Sequence, residues 1–166
     1  MKPADALRFA LLLGICGGGL VPPAPALAAG CLVCLCSVST TNLGFGTYNP
    51  ASAAPAAATA TISANCVSVS VPMNASVDLS LSAGTSGSAS ARQMASGAGR
   101  LGYNIYQDAA YATIWGNGSN GGQSQTLMIN NLLNFNASKT AYGRIPVKQY
   151  VKSGAYADSI TVTFTF

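Results

Sequence analysis

The sequence predicts an all-β protein built as an antiparallel β-sandwich. Short runs of residues alternate between apolar and polar side chains, the period of a strand with one buried face. Turn chemistry rich in Gly, Asn, Ser and Pro separates these runs. No stretch beyond the first thirty residues carries a helical period longer than a turn or two, so the crossover helices of a parallel α/β sheet are missing. Many short, half-polar strands without interleaved helices describe two packed antiparallel sheets.

The elements follow in order. The opening "MKPADALRFALLLGICGGGLVPPAPALA" has a basic start, an apolar run from Phe9 to Ile15 and a small-residue Ala26-Leu27-Ala28 end. That is the pattern of a secretory leader cut after Ala28, which divides the chain into a signal peptide, 1–28, and a mature domain, 29–166. Gly17, Gly18, Gly19, Pro22, Pro23 and Pro25 interrupt the stretch well short of the ~20 apolar residues that span a bilayer. A lipid anchor on Cys31 would call for Leu where Ala28 stands. Strand-like runs then recur at Leu32–Ser39, Ala58–Val71, Ser76–Gly84, Leu101–Asp108, Tyr111–Trp115, Gln125–Ile129, Lys139–Val147 and Asp158–Phe166. The Ala/Pro-rich "NPASAAPAAATA", the Gly/Ser-rich "SAGTSGSASARQMASGAG" and "NGSNGG" are expected to be surface loops. The last run is the most regular: Ile160, Val162, Phe164 and Phe166 on one side, Ser159, Thr161, Thr163 and Thr165 on the other.

Composition narrows the chemistry. Only 7% of residues are charged, none is His, and the net charge is +4. The mature basic residues, Arg92, Arg100, Lys139, Arg144, Lys148 and Lys152, are scattered and form no basic stripe with stacking aromatics, which argues against nucleic acid. Export implies an oxidising compartment. Without the leader's Cys16, four cysteines remain, Cys31, Cys34, Cys36 and Cys66, with three possible pairings. "CLVCLC" lacks the His or second CxxC of a metal knuckle and the βαβ frame of a redox pair, so structural disulfides are expected and no metal or cofactor.

Catalytic constellations are not found. A Ser-His-Asp triad has no His, and "GTSGSAS" does not match the nucleophile elbow G-x-S-x-G. The mature carboxylates Asp78, Asp108 and Asp158 lie far apart in sequence, whereas acid/base hydrolysis needs a converging pair. The tyrosines at 103, 106, 111, 142, 150 and 156, with Trp115, read either as core aromatics with polar tips at the rim or as a sugar-binding platform. Arg144, in the otherwise apolar "YGRIPV", either joins a hydrogen-bond network with Asp158 or is solvated.

"LGFGTYNP", "ISANC", Arg92-Gln93-Met94, "LGYNIYQDAA", "WGNG", "YGRIPV" and "GAYADSITVTFTF" occur in this order across almost the whole mature chain, from about Cys36 to Phe166. Together they resemble the spore coat protein U domain family, which includes subunits of archaic chaperone–usher pili of Gram-negative bacteria. The resemblance implies an incomplete immunoglobulin-like sandwich that lacks its final strand, first lent by a periplasmic chaperone and later replaced by a neighbouring subunit through an outer-membrane usher. It implies a non-enzymatic structural subunit of a pilus or coat, exported to the periplasm and then to the cell surface, with no small-molecule substrate. Ile160, Val162, Phe164 and Phe166 would then line the edge that meets chaperone or subunit. The resemblance also implies a Cys36–Cys66 disulfide, because family members carry one cysteine before the FGTY-like motif and one in the next strand. Cys31 and Cys34 are left to pair with each other or with another molecule. Cleavage after Ala28 leaves only Ala29–Leu35 ahead of Cys36, shorter than the donor segment of a shaft subunit, which points to a terminal, minor or stand-alone member. The rival reading is a stand-alone carbohydrate- or surface-binding sandwich presenting aromatics in loops such as Tyr111–Gly122.

Overall fold

The computed structural model describes residues 8–11, 34–68, 73–132 and 134–165. Among these residues ten strands run in the order β1 (Arg8–Leu11), β2 (Cys34–Thr40), β3 (Ala56–Ser68), β4 (Met73–Leu81), β5 (Gln93–Ser96), β6 (Gly99–Gly102), β7 (Asn104–Tyr106), β8 (Gln125–Leu132), β9 (Asn134–Ile145) and β10 (Ser159–Thr165). One sheet has the order β1-β10-β4-β8, the other β2-β3-β9-β7, and β5 and β6 form a separate hairpin. Among the described residues β1 and β10 are parallel, and every other paired strand is antiparallel. The all-β antiparallel sandwich expected from the alternating runs is the architecture found.

The two sheets meet through alternate residues. Ala60 and Ile62 of β3, Ala141 and Ile145 of β9 and Ile105 of β7 face Leu79 and Leu81 of β4 and Ile160 and Val162 of β10. The long β3–β9 pairing runs unbroken from Ala56↔Ile145 to Val67↔Asn134, so the inward and outward sets stay in phase over twelve residue pairs. A smaller cluster, Ala64, Cys66, Val77 and Phe135, fills the other end of the sandwich. Phe164 is only half-buried and packs against both clusters.

Gly143 shows why the "LGFG" and "YGR" stretches go together. It lies on the inward face of β9, and a Cβ there would sit 2.6 Å from Leu43 Cδ2 and 2.7 Å from Phe45 Cζ. The missing side chain is the space that Leu43, wholly buried, and the Phe45 ring occupy.

Several expectations change. The stretch from Ser82 to Gly99, expected as a surface loop, contains two short 3₁₀ turns (Gly84–Ser86 and Ala89–Ala91) and β5, and it buries Ala89, Arg92 and Met94. Leu101–Asp108 is not one strand: the chain leaves the β5–β6 hairpin at Gly102 and enters the second sheet at Asn104, while Leu101, Tyr103 and Ile105 all stay inward. Tyr111–Trp115 forms only isolated bridges, Tyr106↔Ile114 and Trp115↔Gln123. Trp115 is fully buried and its indole N–H donates to Leu79 O at 3.1 Å, so it is a core residue and not a loop platform.

The cysteine pairing implied by the resemblance is present. Cys36 and Cys66 stand directly opposite in the β2–β3 register, with Cα atoms 4.1 Å apart, and are joined by a disulfide. Cys34 begins β2 opposite Ser68, and Cys31 lies outside the described residues. The bridge closes a loop of sequence separation 30 and ties an edge strand, β2, to β3 of the long central β3–β9 pair. By loop-closure entropy such a bridge stabilises by about 3–4 kcal/mol. Replacing both Cys36 and Cys66 by Ser should lower the unfolding free energy by about that amount, read as a lower urea midpoint with a somewhat steeper slope, because the unfolded chain without the bridge is less compact.

Candidate functional site

The terminal strand is held firmly at its start. Asp158, buried, accepts three hydrogen bonds: from Thr85 N (3.0 Å) and Ser159 N (2.9 Å) on Oδ1, and from Tyr103 OH (2.9 Å) on Oδ2. Gly84 makes room for this carboxylate. Its φ is +69°, and a Cβ there would collide with the Asp158 side chain. Just upstream, Ala157 exchanges backbone hydrogen bonds with Ala95 of β5, at 2.8 and 3.0 Å.

A buried arginine sits behind this corner. Arg92 donates from Nε and Nη2 to Ser82 O (3.2 and 2.6 Å), from Nη2 to Trp115 O (2.8 Å), and from Nη1 to Ala89 O (3.3 Å) and Asn104 Oδ1 (3.1 Å). One guanidinium thus ties the end of β4, a 3₁₀ turn, the start of β7 and the loop after Trp115 together. Burial pulls its pKa down to about 10, against the favourable fields of Tyr103 and Asp158. Of the two readings of Arg144, a network with Asp158 or a solvated side chain, the first does not hold. Instead Asp158 bonds Tyr103, and Arg144 lies on the outer face of the other sheet, over the ring of Tyr111. No signal in the residue types marks Arg92: much of the Gly/Ser/Ala run before it is exposed, and only the tertiary fold buries the arginine.

From that anchor β10 runs as the last core strand of its sheet. Val162, Thr163, Phe164 and Thr165 pair with Leu81, Ser80, Leu79 and Asp78. Ile160 and Val162 are completely buried, each contributing on the order of 1.5–3 kcal/mol. Phe164 is half-buried and Phe166 lies outside the described residues. The side chains of Ile160, Val162 and Phe164 therefore serve the protein's own core.

Their backbone groups point elsewhere. Thr161 uses both of its backbone groups toward β4: its carbonyl accepts from Ser82 N and its N–H donates to Ser82 Oγ, each at 2.9 Å. Along a strand these directions alternate, so Ile160, Val162 and Phe164 direct N–H and C=O to the opposite edge. In the full chain that edge is covered by β1, in parallel register: Arg8↔Ser159, Phe9↔Ile160, Ala10↔Thr161 and Leu11↔Val162. β1 falls inside the stretch that reads as a secretory leader. The acceptor edge thus takes an added strand from a segment remote in sequence.

The Spore Coat Protein U domain, as a family description, matches residues 25–163. The chain belongs to that family. As a Spore Coat Protein U domain it is an immunoglobulin-like antiparallel sandwich whose last strand lies beside an added one. Its fold is similar to a chain in the crystal structure of the CsuC–CsuE chaperone–tip adhesion subunit pre-assembly complex from archaic chaperone-usher Csu pili of Acinetobacter baumannii. The TM-score is 0.51 at 20% identity, over 81% of this chain and 40% of that one. At that identity the likeness bears on the fold. No curated protein matches the chain.

The Tyr103–Asp158 contact generates a pH prediction. Burial, together with the Asp158 carboxylate that accepts its hydrogen bond, raises the Tyr103 pKa far above its usual 10. The folded protein then keeps a proton that the unfolded chain releases above pH 10, so stability falls as pH rises past that value. In a tyrosinate absorbance titration one tyrosine should ionise only on unfolding, and Tyr103→Phe should remove that delayed step.

Proposed function

We propose that the mature domain, residues 29–166, is a secreted structural subunit of a surface pilus or coat, assembled by donor-strand complementation. The observation that supports this most strongly is the outer edge of β10, which accepts a parallel strand from residues 8–11. If the leader is cut after Ala28, β1 leaves with it. Ile160, Val162 and Phe164 then present unpaired backbone N–H and C=O groups over a core that Phe164 closes only partly. An uncovered edge of this kind invites pairing with another chain. A strand donated in trans supplies main-chain hydrogen bonds and places alternate side chains toward the half-filled end of the core.

A periplasmic chaperone is the first donor in this reading, an outer-membrane usher the site of exchange, and another pilus subunit the final donor. Family membership supports the assignment. So does the fold shared with a chain in a complex of a chaperone and a tip adhesion subunit of archaic chaperone-usher pili. The role is non-enzymatic, and the route runs from periplasm to cell surface. Cys31 and Cys34 precede the disulfide near the mature N-terminus, where a second bridge would stiffen the entry to β2.

The direct test compares residues 29–166 alone with the same chain carrying a flexible linker and an alternating apolar strand fused after Phe166. The unfused chain should fold, but should be less stable than the fused one and prone to self-association. The fused one should be a monomer with a cooperative unfolding transition at higher denaturant. An unfused chain as stable and as strictly monomeric as the fused one would contradict the proposal.

A further inference from the structure

Six of the seven tyrosines divide into two populations, the seventh, Tyr150, being exposed. Tyr48, Tyr103 and Tyr156 spend their hydroxyls inside the protein, donating to Pro146 O, Asp158 Oδ2 and Lys152 O. Tyr106, Tyr111 and Tyr142 make no such bond among the described residues, and all three are half-buried on the outer side of the β2-β3-β9-β7 sheet. Tyr106 of β7 stands directly opposite Tyr142 of β9, and Arg144 lies two residues further along the same face. Tyr111, in the loop after β7, meets Tyr106 edge-on, with ring centroids 5.4 Å apart and planes at 84°. The Arg144 guanidinium lies over the Tyr111 ring, 5.0 Å from its centroid.

Two features set this cluster apart from rim packing. Tyr111 has φ +57°, in the left-handed region that a bulky side chain disfavours. The loop is held there by Asp108, whose carboxylate accepts from Ala112 N (3.0 Å) and Thr113 N (2.8 Å), and by Tyr111 N donating to Asp108 O (3.1 Å). Those backbone bonds keep the Asp108 carboxyl below its ordinary value and occupied with its own turn. Secondly, Arg144 has no hydrogen bond or ion pair among the described residues. Stacking uses the face of a guanidinium and leaves its N–H donors free in the plane, where they match a carboxylate as a fork.

We propose that Tyr106, Tyr111, Tyr142 and Arg144 form a binding site for an acidic polysaccharide. A sugar ring lies with its C–H face on the tyrosines, its carboxylate is forked by Arg144, and the tyrosine hydroxyls bond its hydroxyl groups. The neighbouring surface suits a polyhydroxylated chain: Thr59 pairs with Tyr142, and Thr61 and Thr140 continue the same exposed face. Charge favours the acidic class, since residues 29–166 hold six basic side chains against three carboxylates, of which Asp108 and Asp158 are taken up by internal hydrogen bonds. The site lies on the sheet that does not contain β10, so it stands or falls separately from strand acceptance.

The test is titration of the full chain, residues 1–166, with uronate oligomers of alginate, and with neutral dextran oligomers of equal length. Saturable binding of the uronate oligomers is expected, with little for dextran. Arg144→Gln should weaken it at least about tenfold, the loss of one charge-assisted fork. Tyr111→Gly should abolish it while melting at the same or a higher temperature, because glycine takes positive φ without penalty. Should Tyr111→Gly unfold, Arg144→Gln on the surface still decides the matter. Equal binding of dextran, absence of uronate binding, or uronate binding unchanged in Arg144→Gln would each overturn the site.

Discussion

A β-strand cannot turn its side chains and its backbone groups toward the same neighbour, and this constraint governs the C-terminal end of the molecule. Ile160, Val162 and Phe164 send side chains into the sandwich and N–H and C=O groups sideways, away from β4. The side chains are therefore committed to the chain's own core, while the polar groups of those same residues need a partner that the sheet β10-β4-β8 does not contain. In the full chain residues 8–11 provide it. Such a strand adds the missing hydrogen bonds without rebuilding the core.

The strand edge is useful only if it stays in place without a partner, and the polar corner around Asp158 provides that. Three hydrogen bonds converge on its carboxylate, the Gly84 backbone clears the space, and Arg92 behind it spends its donors on three carbonyls and an amide. A buried guanidinium is costly unless its donors are met. Here they are met by backbone carbonyls from separate segments, so the charge can be buried only when those segments meet. The β10 start is thus coupled to the folding of β4, β5 and β7 rather than to the edge partner.

Much of this was legible in the residues. Strict alternation marked Ser159–Thr165 as a strand with Ile160 and Val162 inward, and the same signal located β3, β4 and the end of β9. The Cys36–Cys66 bridge followed from family resemblance, since four cysteines leave the pairing open. What escaped had physical reasons. β5 and β6 lie in a Gly- and Ser-rich stretch whose small side chains produce no apolar period, although Arg92 and Met94 within it are buried. Tyr111–Trp115 has strand composition, but the turn imposed by Asp108 overrides it. Arg144 and Arg92 are indistinguishable by composition; only the tertiary fold places one on a tyrosine ring and the other in the core. β1 was unreadable as a strand because its apolar run serves equally as a leader.

The most direct measurement is amide hydrogen exchange along β10 in residues 29–166, with and without a donated strand. Thr161 and Thr163, facing β4, should be protected in both states. Ile160, Val162 and Phe164 should exchange freely alone and become protected when the donor is added, an every-second-residue pattern that only edge pairing produces. Uniform protection of all five amides in residues 29–166 alone would show an edge already satisfied, and would contradict the account.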